Sequence, residues 1–428
     1  MRKVLIITYY WPPSGGPGVQ RWLKFAKYLR EFDVEPIIYT PSNPDYPITD
    51  PVLTDEVPDG LKIYRRPIIE PYRFAGWFSR KNTDRIRSGI IPDKRQSAMD
   101  RFLLWIRGNL FIPDARKLWV KPSIGYLRKL IDQEQPQAII TTGPPHSMHL
   151  IGLGLKKYFP IPWFADFRDP WTNIGYHNQL RLSAFAKKKH LRLEQRVLNT
   201  ADVIIVTSET TKKEFKGLTQ RPIEVITNGY DTGYENPEPL DKRFTISHIG
   251  SLLSKRNPTN LWQVLGELLS ENAQFRDRFT LQLIGVVGRE VLDSIESFGL
   301  KANTQVLEYV PHDKAVQYQK QAQVLLLAEI NTPETRGIVP GKLFEYLAAR
   351  RPILGIGPEE WEAGVIIKRT HSGCAFDYQA DSELKKVILD WFQKYLSDSL
   401  DVKDAQIAQY SRRELTRNLA KLLHGNRF

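Results

Sequence analysis

Strand-like and helix-spaced segments alternate from one end of this chain to the other, and that alternation most limits its fold. Short apolar runs lie at 3–8, 35–39, 62–64, 138–142, 163–166, 203–207 and 224–227. The second half repeats the style at 245–249, 281–284, 306–309, 324–328, 352–356 and 374–376. Between the first two runs, Val19, Trp22, Leu23, Ala26 and Leu29 recur at the spacing of one helix face. Strands alternating with helices pair in parallel and are buried on both faces. The fold class expected is α/β, with two doubly wound Rossmann-like domains facing each other across a cleft and a ligand at the carboxyl ends of the strands. The stretch 230–243, rich in Gly, Asn, Pro and charge, reads as the linker. It separates domains at 1–234 and 235–403, and a last helix within 404–428 is expected to pack back on the first domain.

At 428 residues the chain is long enough for two domains of ordinary size. Its one cysteine, Cys374, excludes an internal disulfide and fits a reducing cytoplasm. The apolar start is short and runs into Pro12-Pro13, so it reads as a first strand rather than a signal peptide. No segment approaches the roughly 20 apolar residues that span a bilayer. Charge is uneven. Residues 1–234 hold 36 Lys/Arg and 23 Asp/Glu while 235–428 hold 25 of each, so the whole net charge of +13 belongs to the first half. Residues 60–130 alone carry 17 basic and 5 acidic side chains, interleaved with Trp77, Phe78, Phe102, Trp105 and Trp119. A basic surface this local implies a polyanionic partner. Rings mixed with cations suit the headgroup level of an anionic membrane. Nucleic acid is the weaker reading, because no reader motif accompanies the basic stretch. The expected location is cytoplasmic, peripheral on the inner face of the plasma membrane.

Five loops carry candidate chemistry. Val339-Pro-Gly-Lys342 opens a helix whose apolar face is Leu343, Phe344 and Leu347, stopped by Pro352. Gly341 and Lys342 lie in its first turn, where free N–H groups favour anions, and Glu345 follows one turn later, within reach of a diol. A cation, a helix N-terminus and a carboxylate beside one loop suit the phosphates and ribose of a sugar nucleotide. Gly250-Ser-Leu-Leu-Ser-Lys-Arg256 places Lys255 and Arg256 before a helix, a pair able to cradle a diphosphate. Gly15 and Gly16, after the first strand, let backbone approach a phosphate or sugar. Gly143-Pro-Pro-His146-Ser and Asp166-Phe-Arg168-Asp169-Pro-Trp171 follow first-domain strands and are expected to face the cleft. Charge at a buried strand end needs pairing or a polar ligand, so a structural ion pair remains an alternative at 166–169. No Asp-x-Asp pair and no His cluster is spaced for a metal ion.

Together these residues resemble the GT-B glycosyltransferases, specifically the retaining family 4. The resemblance runs through the Gly15-Gly16 loop, Ala201–Ser208, Val225–Asp231, Gly250–Arg256, Tyr309-Val-Pro-His312 and Lys342-Leu-Phe-Glu-Tyr-Leu-Ala348. The motifs at 143–147 and 166–171 look like a bacterial branch that builds surface polysaccharide. The resemblance implies transfer of a hexosyl group from a nucleotide-diphosphate sugar to a glycan or lipid-linked acceptor, without metal or cofactor. It implies that Arg256, with Lys255 and Lys342, binds the donor diphosphate, that Glu345 holds the ribose, and that Val310 and its neighbours lie along the base. Gly15, Gly16, Asp166 and Arg168 would meet the phosphate and transferred sugar, with His146 and Asp169 as further acceptor or sugar candidates. Two positions depart from the family pattern. The first Glu of its Glu-x7-Glu motif falls on Gly337, for which Glu334 or Arg336 are candidate substitutes, and an expected Arg falls on Ser251. A sugar-nucleotide epimerase on the same fold and a non-catalytic scaffold are the alternatives.

Overall fold

The computed structural model describes residues 1–70, 98–173, 180–231, 238–402 and 405–425. Part of the basic stretch, including Trp77 and Phe78, lies outside the described residues. The chain divides into two compact units, Met1–Thr227 with Arg412–Phe428, and Asn228–Ser411.

The first unit is built on β1 (Arg2–Ile7), β2 (Val34–Pro41), β3 (Lys62–Arg66), β4 (Ala138–Gly143), β5 (Trp163–Phe167), β6 (Val203–Val206) and β7 (Ile223–Val225). They form one parallel sheet in the order β3-β2-β1-β4-β5-β6-β7. Successive side chains of a strand point to opposite faces, and here both faces are covered. Val4, Ile6, Ile38, Ile140 and Phe164 pack beneath helix Pro17–Leu29 and beneath Leu415 and Leu419 of helix Arg412–Leu423. Leu5, Ile7, Ile37, Ile139 and Phe167 pack on the other side against helices Lys117–Glu134, Ser147–Leu155 and Ala184–Thr200. That two-sided burial is why the strands read as continuous apolar runs. The terminal helix starts at Arg412 rather than near residue 404.

The second unit repeats the plan with β8 (Phe244–Ile249), β9 (Phe279–Ile284), β10 (Thr304–Leu307), β11 (Val324–Ala328), β12 (Ile353–Ile356) and β13 (Gly373–Phe376). Their order is β10-β9-β8-β11-β12-β13, again parallel throughout. Its strands also alternate between two cores, Ile246, Leu281 and Leu326 in one, Ile249, Leu325 and Ile353 in the other. In each sheet the chain starts in the middle, builds one side, then returns beside its first strand. That reversal lies between β1 and β4 and between β8 and β11, and the crevice at the carboxyl ends there is where such sheets bind ligands.

One polar knot fastens the first helix to its sheet. Asp166, near the end of β5, is fully buried. Its Oδ1 accepts from Arg21 Nη2 at 2.9 Å, and its Oδ2 accepts from Trp22 Nε1 at 2.9 Å and Thr142 Oγ1 at 2.8 Å. Arg21 Nη1 also donates to the Thr227 carbonyl at 2.8 Å. Removing one partner of a buried pair strands the other charge, at about 3–5 kcal/mol. Asp166→Ala should therefore destabilise the first unit by that amount, and Asp166→Asn by less, measured by urea denaturation. A loss below about 1 kcal/mol for the alanine variant would show that the knot holds nothing.

Candidate functional site

In the second unit the carboxyl end of β8 meets the start of helix Gly341–Ala349. Gly250 has φ +119°, which only glycine adopts without strain, and a Cβ there would lie 2.7 Å from Lys342 Nζ. The glycine thus leaves room for the lysine. Helix Gly341–Ala349 has no side-chain cap at Pro340 and no acid in its first turn. Its N-terminal end keeps its partial positive charge for an anion.

Lys342 is held by a histidine. His248, on β8, is buried, and its Nδ1 lies 3.0 Å from the Leu326 carbonyl oxygen of β11. A carbonyl only accepts, so the shorter contact puts the hydrogen on Nδ1; Nε2 lies 3.4 Å from the Ser251 carbonyl oxygen as well and turns its lone pair to Lys342. Lys342 Nζ lies 3.4 Å from that Nε2 and donates to it. Burial first, then the neighbouring Lys342 and Arg256 charges, hold the His248 pKa down at about 3, so the ring is neutral. Burial, then repulsion by Arg256, lowers Lys342 to about 8 against the opposing pull of Glu345 and Glu329.

Arg256 sits in the short turn Ser254–Arg256 and is already paired. Its Nε donates to Glu329 Oε1 at 2.8 Å and its Nη2 to Oε2 at 3.3 Å. Glu329, fully buried just past β11, also accepts from its neighbour Ile330 N at 2.9 Å. The guanidinium therefore arrives partly neutralised. Sequence reasoning passed over both Glu329 and His248. Glu329 carries the signal that singled out Asp166, a charge closing an apolar strand. His248 is a lone histidine inside a strand and carries none.

The other second-unit candidates are more dispersed. Glu345 is half-buried and accepts from Gln319 Nε2 at 2.9 Å. Val310 packs partly into the core beside the exposed Tyr309. Lys255 and Glu334 are exposed. Arg336 pairs with Glu360 at 3.3 Å and Glu359 at 3.7 Å, so its charge is spent on surface carboxylates rather than brought to Lys342. A cavity of about 230 Å³ beside Asp241, Gln323 and Leu400 lies at the amino ends of β8 and β11, away from this group.

In the first unit, Gly15 N donates to the Ile48 carbonyl at 2.9 Å, and Gly16, at φ +96°, opens helix Pro17–Leu29. That helix too has no side-chain cap and no acid in its first turn. Arg168 reaches it, and a Cβ at Gly18 would collide with its guanidinium. Arg168 Nη2 donates to the Pro144 carbonyl, the guanidinium lies 5.7 Å from the Tyr10 ring, and Nε is buried with no hydrogen-bond partner among the described residues. Arg168 and Asp166 thus part company. The expectation of a sugar-facing Asp166 gives way to an anchor, because all its bonds run to Arg21, Trp22 and Thr142. Asp169 is exposed. His146 is buried and stacks on Trp171 with centroids 5.0 Å apart. His149, which the sequence reading passed over, stacks on Phe167 at 4.3 Å, bonds Thr141 Oγ1 at 2.9 Å, and is held by burial at a pKa of about 3. Both rings crowd Gly143, where a Cβ would sit 2.7 Å from His149 Nε2. Among the described residues no group of three or more His, Cys, Asp or Glu is placed to hold a metal ion.

Residues 90–234 match the model of the family described as Glycosyltransferase Family 4. No curated protein sequence matches. Solved structures do, along nearly the whole chain. A glycosyltransferase from Rickettsia africae is 13% identical, with 100% of this chain and 99% of that chain covered and a TM-score of 0.61. HepE from Anabaena, in complex with UDP-glucose, is 13% identical over 99% of this chain and 100% of that one, with a TM-score of 0.58. WaaG, a glycosyltransferase involved in lipopolysaccharide biosynthesis, is 12% identical over 99% and 100%, with a TM-score of 0.54. The chain has the GT-B fold of glycosyltransferases, and the family 4 match lies almost wholly in its first unit.

Proposed function

We propose that this protein is a retaining glycosyltransferase that moves a hexosyl group from a nucleotide-diphosphate sugar to a glycan or lipid-linked acceptor in surface polysaccharide synthesis. The observation that carries this reading is the Lys342 ammonium, seated by His248 and Gly250 at the uncapped start of helix Gly341–Ala349. A preformed cation at a helix N-terminus is aimed where the leaving diphosphate gathers charge. Stabilisation that grows in the transition state is what accelerates a reaction.

Each group has a part. Lys342 and the helix N–H groups take the β-phosphate as the bond from the sugar C1 to its oxygen breaks. Arg256 adds one guanidinium face, while Glu329 fixes its orientation. The acceptor oxygen bonds to C1 on the face the diphosphate leaves, and its proton passes to the departing phosphate oxygen. No carboxylate nucleophile and no metal enters this scheme, because cations of the chain meet the developing charge. Glu345 takes the ribose hydroxyls, with Gln319 holding one of its oxygens, and the loop of Tyr309 and Val310 takes the base. Within the first unit, Arg168 at the start of helix Pro17–Leu29 is the candidate contact for a phosphate or sugar group. HepE was solved with UDP-glucose, so a uridine diphosphate sugar is the first donor to try here.

The direct experiment measures release of nucleoside diphosphate from a panel of nucleotide sugars with lipid extract as acceptor, with and without EDTA. Release that needs the acceptor and survives chelation is expected. Epimerised sugar nucleotide without release would establish the epimerase alternative, and no binding of any nucleotide in a thermal-shift panel would establish the scaffold.

Lys342 gives this reading a pH signature. Its ammonium loses its proton as pH rises through about 8 in the free protein, whereas His248 stays neutral from pH 6 upward. A diphosphate binds the protonated form, so above that point binding must first take up a proton. Affinity for uridine diphosphate should fall from pH 7 to pH 9 by roughly tenfold, read by calorimetry. Lys342→Met should bind weakly at pH 7 and show no such fall; a wild-type profile flat to pH 9 would remove Lys342 from the phosphate site.

Glu345→Gln should raise KM for the donor roughly tenfold while leaving kcat within about twofold, because ribose contacts are alike in ground and transition states. A large loss of kcat with unchanged KM would contradict the assignment.

A further inference from the structure

Two first-unit loops that the sequence presents as separate motifs are one assembly in the fold. Loop 144–146 leaves β4 for helix Ser147–Leu155, loop 168–172 leaves β5, and the two strands are neighbours in the sheet. Arg168 N donates to the Gly143 carbonyl at 2.9 Å, and the Arg168 guanidinium donates to the Pro144 carbonyl. The His146 ring lies flat on Trp171, with centroids 5.0 Å apart and planes 4° from parallel. Both rings are buried, so neither offers a face to a ligand.

The assembly is pinned on both sides. Glu194, on helix Ala184–Thr200, is buried and turns its whole carboxylate to the second loop. Its Oε1 accepts from Trp171 N and Thr172 N, each at 3.2 Å, and its Oε2 from Thr172 Oγ1 at 2.5 Å. Burial raises its pKa, while the bonds from Thr172 and Trp171 oppose that rise. One helical turn earlier, His190 takes the indole of the same tryptophan. Trp171 Nε1 donates to His190 Nδ1 at 3.1 Å, and because an indole N–H only donates, that nitrogen accepts. Asp114 pins the first loop, its Oδ2 accepting from Ser147 N at 2.9 Å and its Oδ1 from Ser147 Oγ at 2.8 Å.

What this framework presents is Arg168. Its backbone is tied at both groups, N to the Gly143 carbonyl and the carbonyl to Thr207 Oγ1 at 2.9 Å. Its guanidinium stands against Gly18 in the first turn of helix Pro17–Leu29, and its Nε is buried with no hydrogen-bond partner among the described residues. We propose that Glu194 is a positioning residue: by holding Trp171 and Thr172, and through the stack of Trp171 on His146, it locks the two loops into a clamp that fixes the Arg168 guanidinium at the start of that helix. An arginine oriented in advance loses less freedom when a ligand arrives, and small misplacements of such a group slow a reaction strongly. Glu194 works here as an acceptor of hydrogen bonds, since no cation pairs with it among the described residues. The part that Arg168 then takes in turnover rests on the donor-site reading above; the fixing of its side chain does not.

The test joins a signal from Arg168 itself to a kinetic cycle, both on the full chain. The Arg168 Nε–H resonance, identified by its loss in Arg168→Lys, is expected to be sharp and slow to exchange with water. Glu194→Ala should broaden it and speed its exchange roughly tenfold or more. Thr172→Val, which removes only the hydroxyl bond, should do so to a smaller degree and carries the test if Glu194→Ala does not fold. Glu194→Gln, whose amide oxygen still accepts from Trp171 N and Thr172 N, should restore the signal. This arm needs no nucleotide. In turnover of a nucleotide sugar both disruptive variants should lower kcat, Glu194→Ala roughly tenfold, and leave donor KM within about twofold. In an Arg168→Ala background neither should lower kcat further by as much as about twofold, because the group they misplace is gone. A loss that persists in that background would make Glu194 merely structural and overturn the proposal, as would an Arg168 signal unchanged in Glu194→Ala and Thr172→Val. An absence of turnover with every nucleotide sugar, beside an Arg168 signal that responds as described, would sink the donor-site reading and leave the clamp standing.

Discussion

Covering both faces of a parallel sheet is the constraint from which the rest of this structure follows. Each strand sends alternate side chains into separate cores, as Val4 and Ile6 do on one side of β1 and Leu5 and Ile7 on the other. Helices must then lie on both faces, and every connection must cross from the carboxyl end of one strand to the amino end of another. All carboxyl ends of a sheet therefore share one edge, and the polar loops collect there. Gly250, Glu329 and the Lys342 turn in one unit, and the Gly15, Gly143 and Arg168 loops in the other, are placed by that rule.

The same device, an acid buried at a strand end and paired to an arginine, is used for two ends. Asp166 and Glu329 are both fully buried, and both are held by a guanidinium. Their arginines differ in access to water. The Arg21 side chain is 1% exposed, whereas that of Arg256 is 35% exposed. A pair sealed from solvent has no face for a ligand and serves as a fastening. A pair with one open side is a cation held in a fixed orientation, ready for a second anion. The contrast makes Asp166 a fastening of the first unit and leaves Arg256 a partly exposed cation with part of its charge already offset.

Electrostatic preparation of the second unit rests on neutral groups as much as on charged ones. His248 has a carbonyl at each ring nitrogen, Leu326 at 3.0 Å from Nδ1 and Ser251 at 3.4 Å from Nε2, and the closer one takes the hydrogen. The neutral ring seats Lys342 without adding a negative charge that would satisfy the ammonium and blunt its pull on a phosphate. The cost is visible in the lysine, whose pKa burial and Arg256 bring down to about 8.

Periodicity and loop chemistry alone determined much of this protein. Each of the thirteen runs overlaps one of the thirteen strands among the described residues; the inner strands are apolar because both their faces are buried, while the edge strands Lys62–Arg66 and Thr304–Leu307 are partly exposed. The Gly341–Lys342 turn was legible because Pro, Gly and Lys before an amphipathic run mark a helix start whatever surrounds it. Nothing local distinguishes Asp166 from Arg168, or Arg256 from a free cation. Their roles are decided by Arg21, Trp22 and Glu329, which lie 145, 144 and 73 residues away along the chain. His248 shows the same limit, since a histidine inside a strand acquires its function only from a carbonyl on β11 and a lysine on a later helix. Partners brought together by strand order, not by sequence spacing, determine whether a charge is spent on the fold or kept for a ligand.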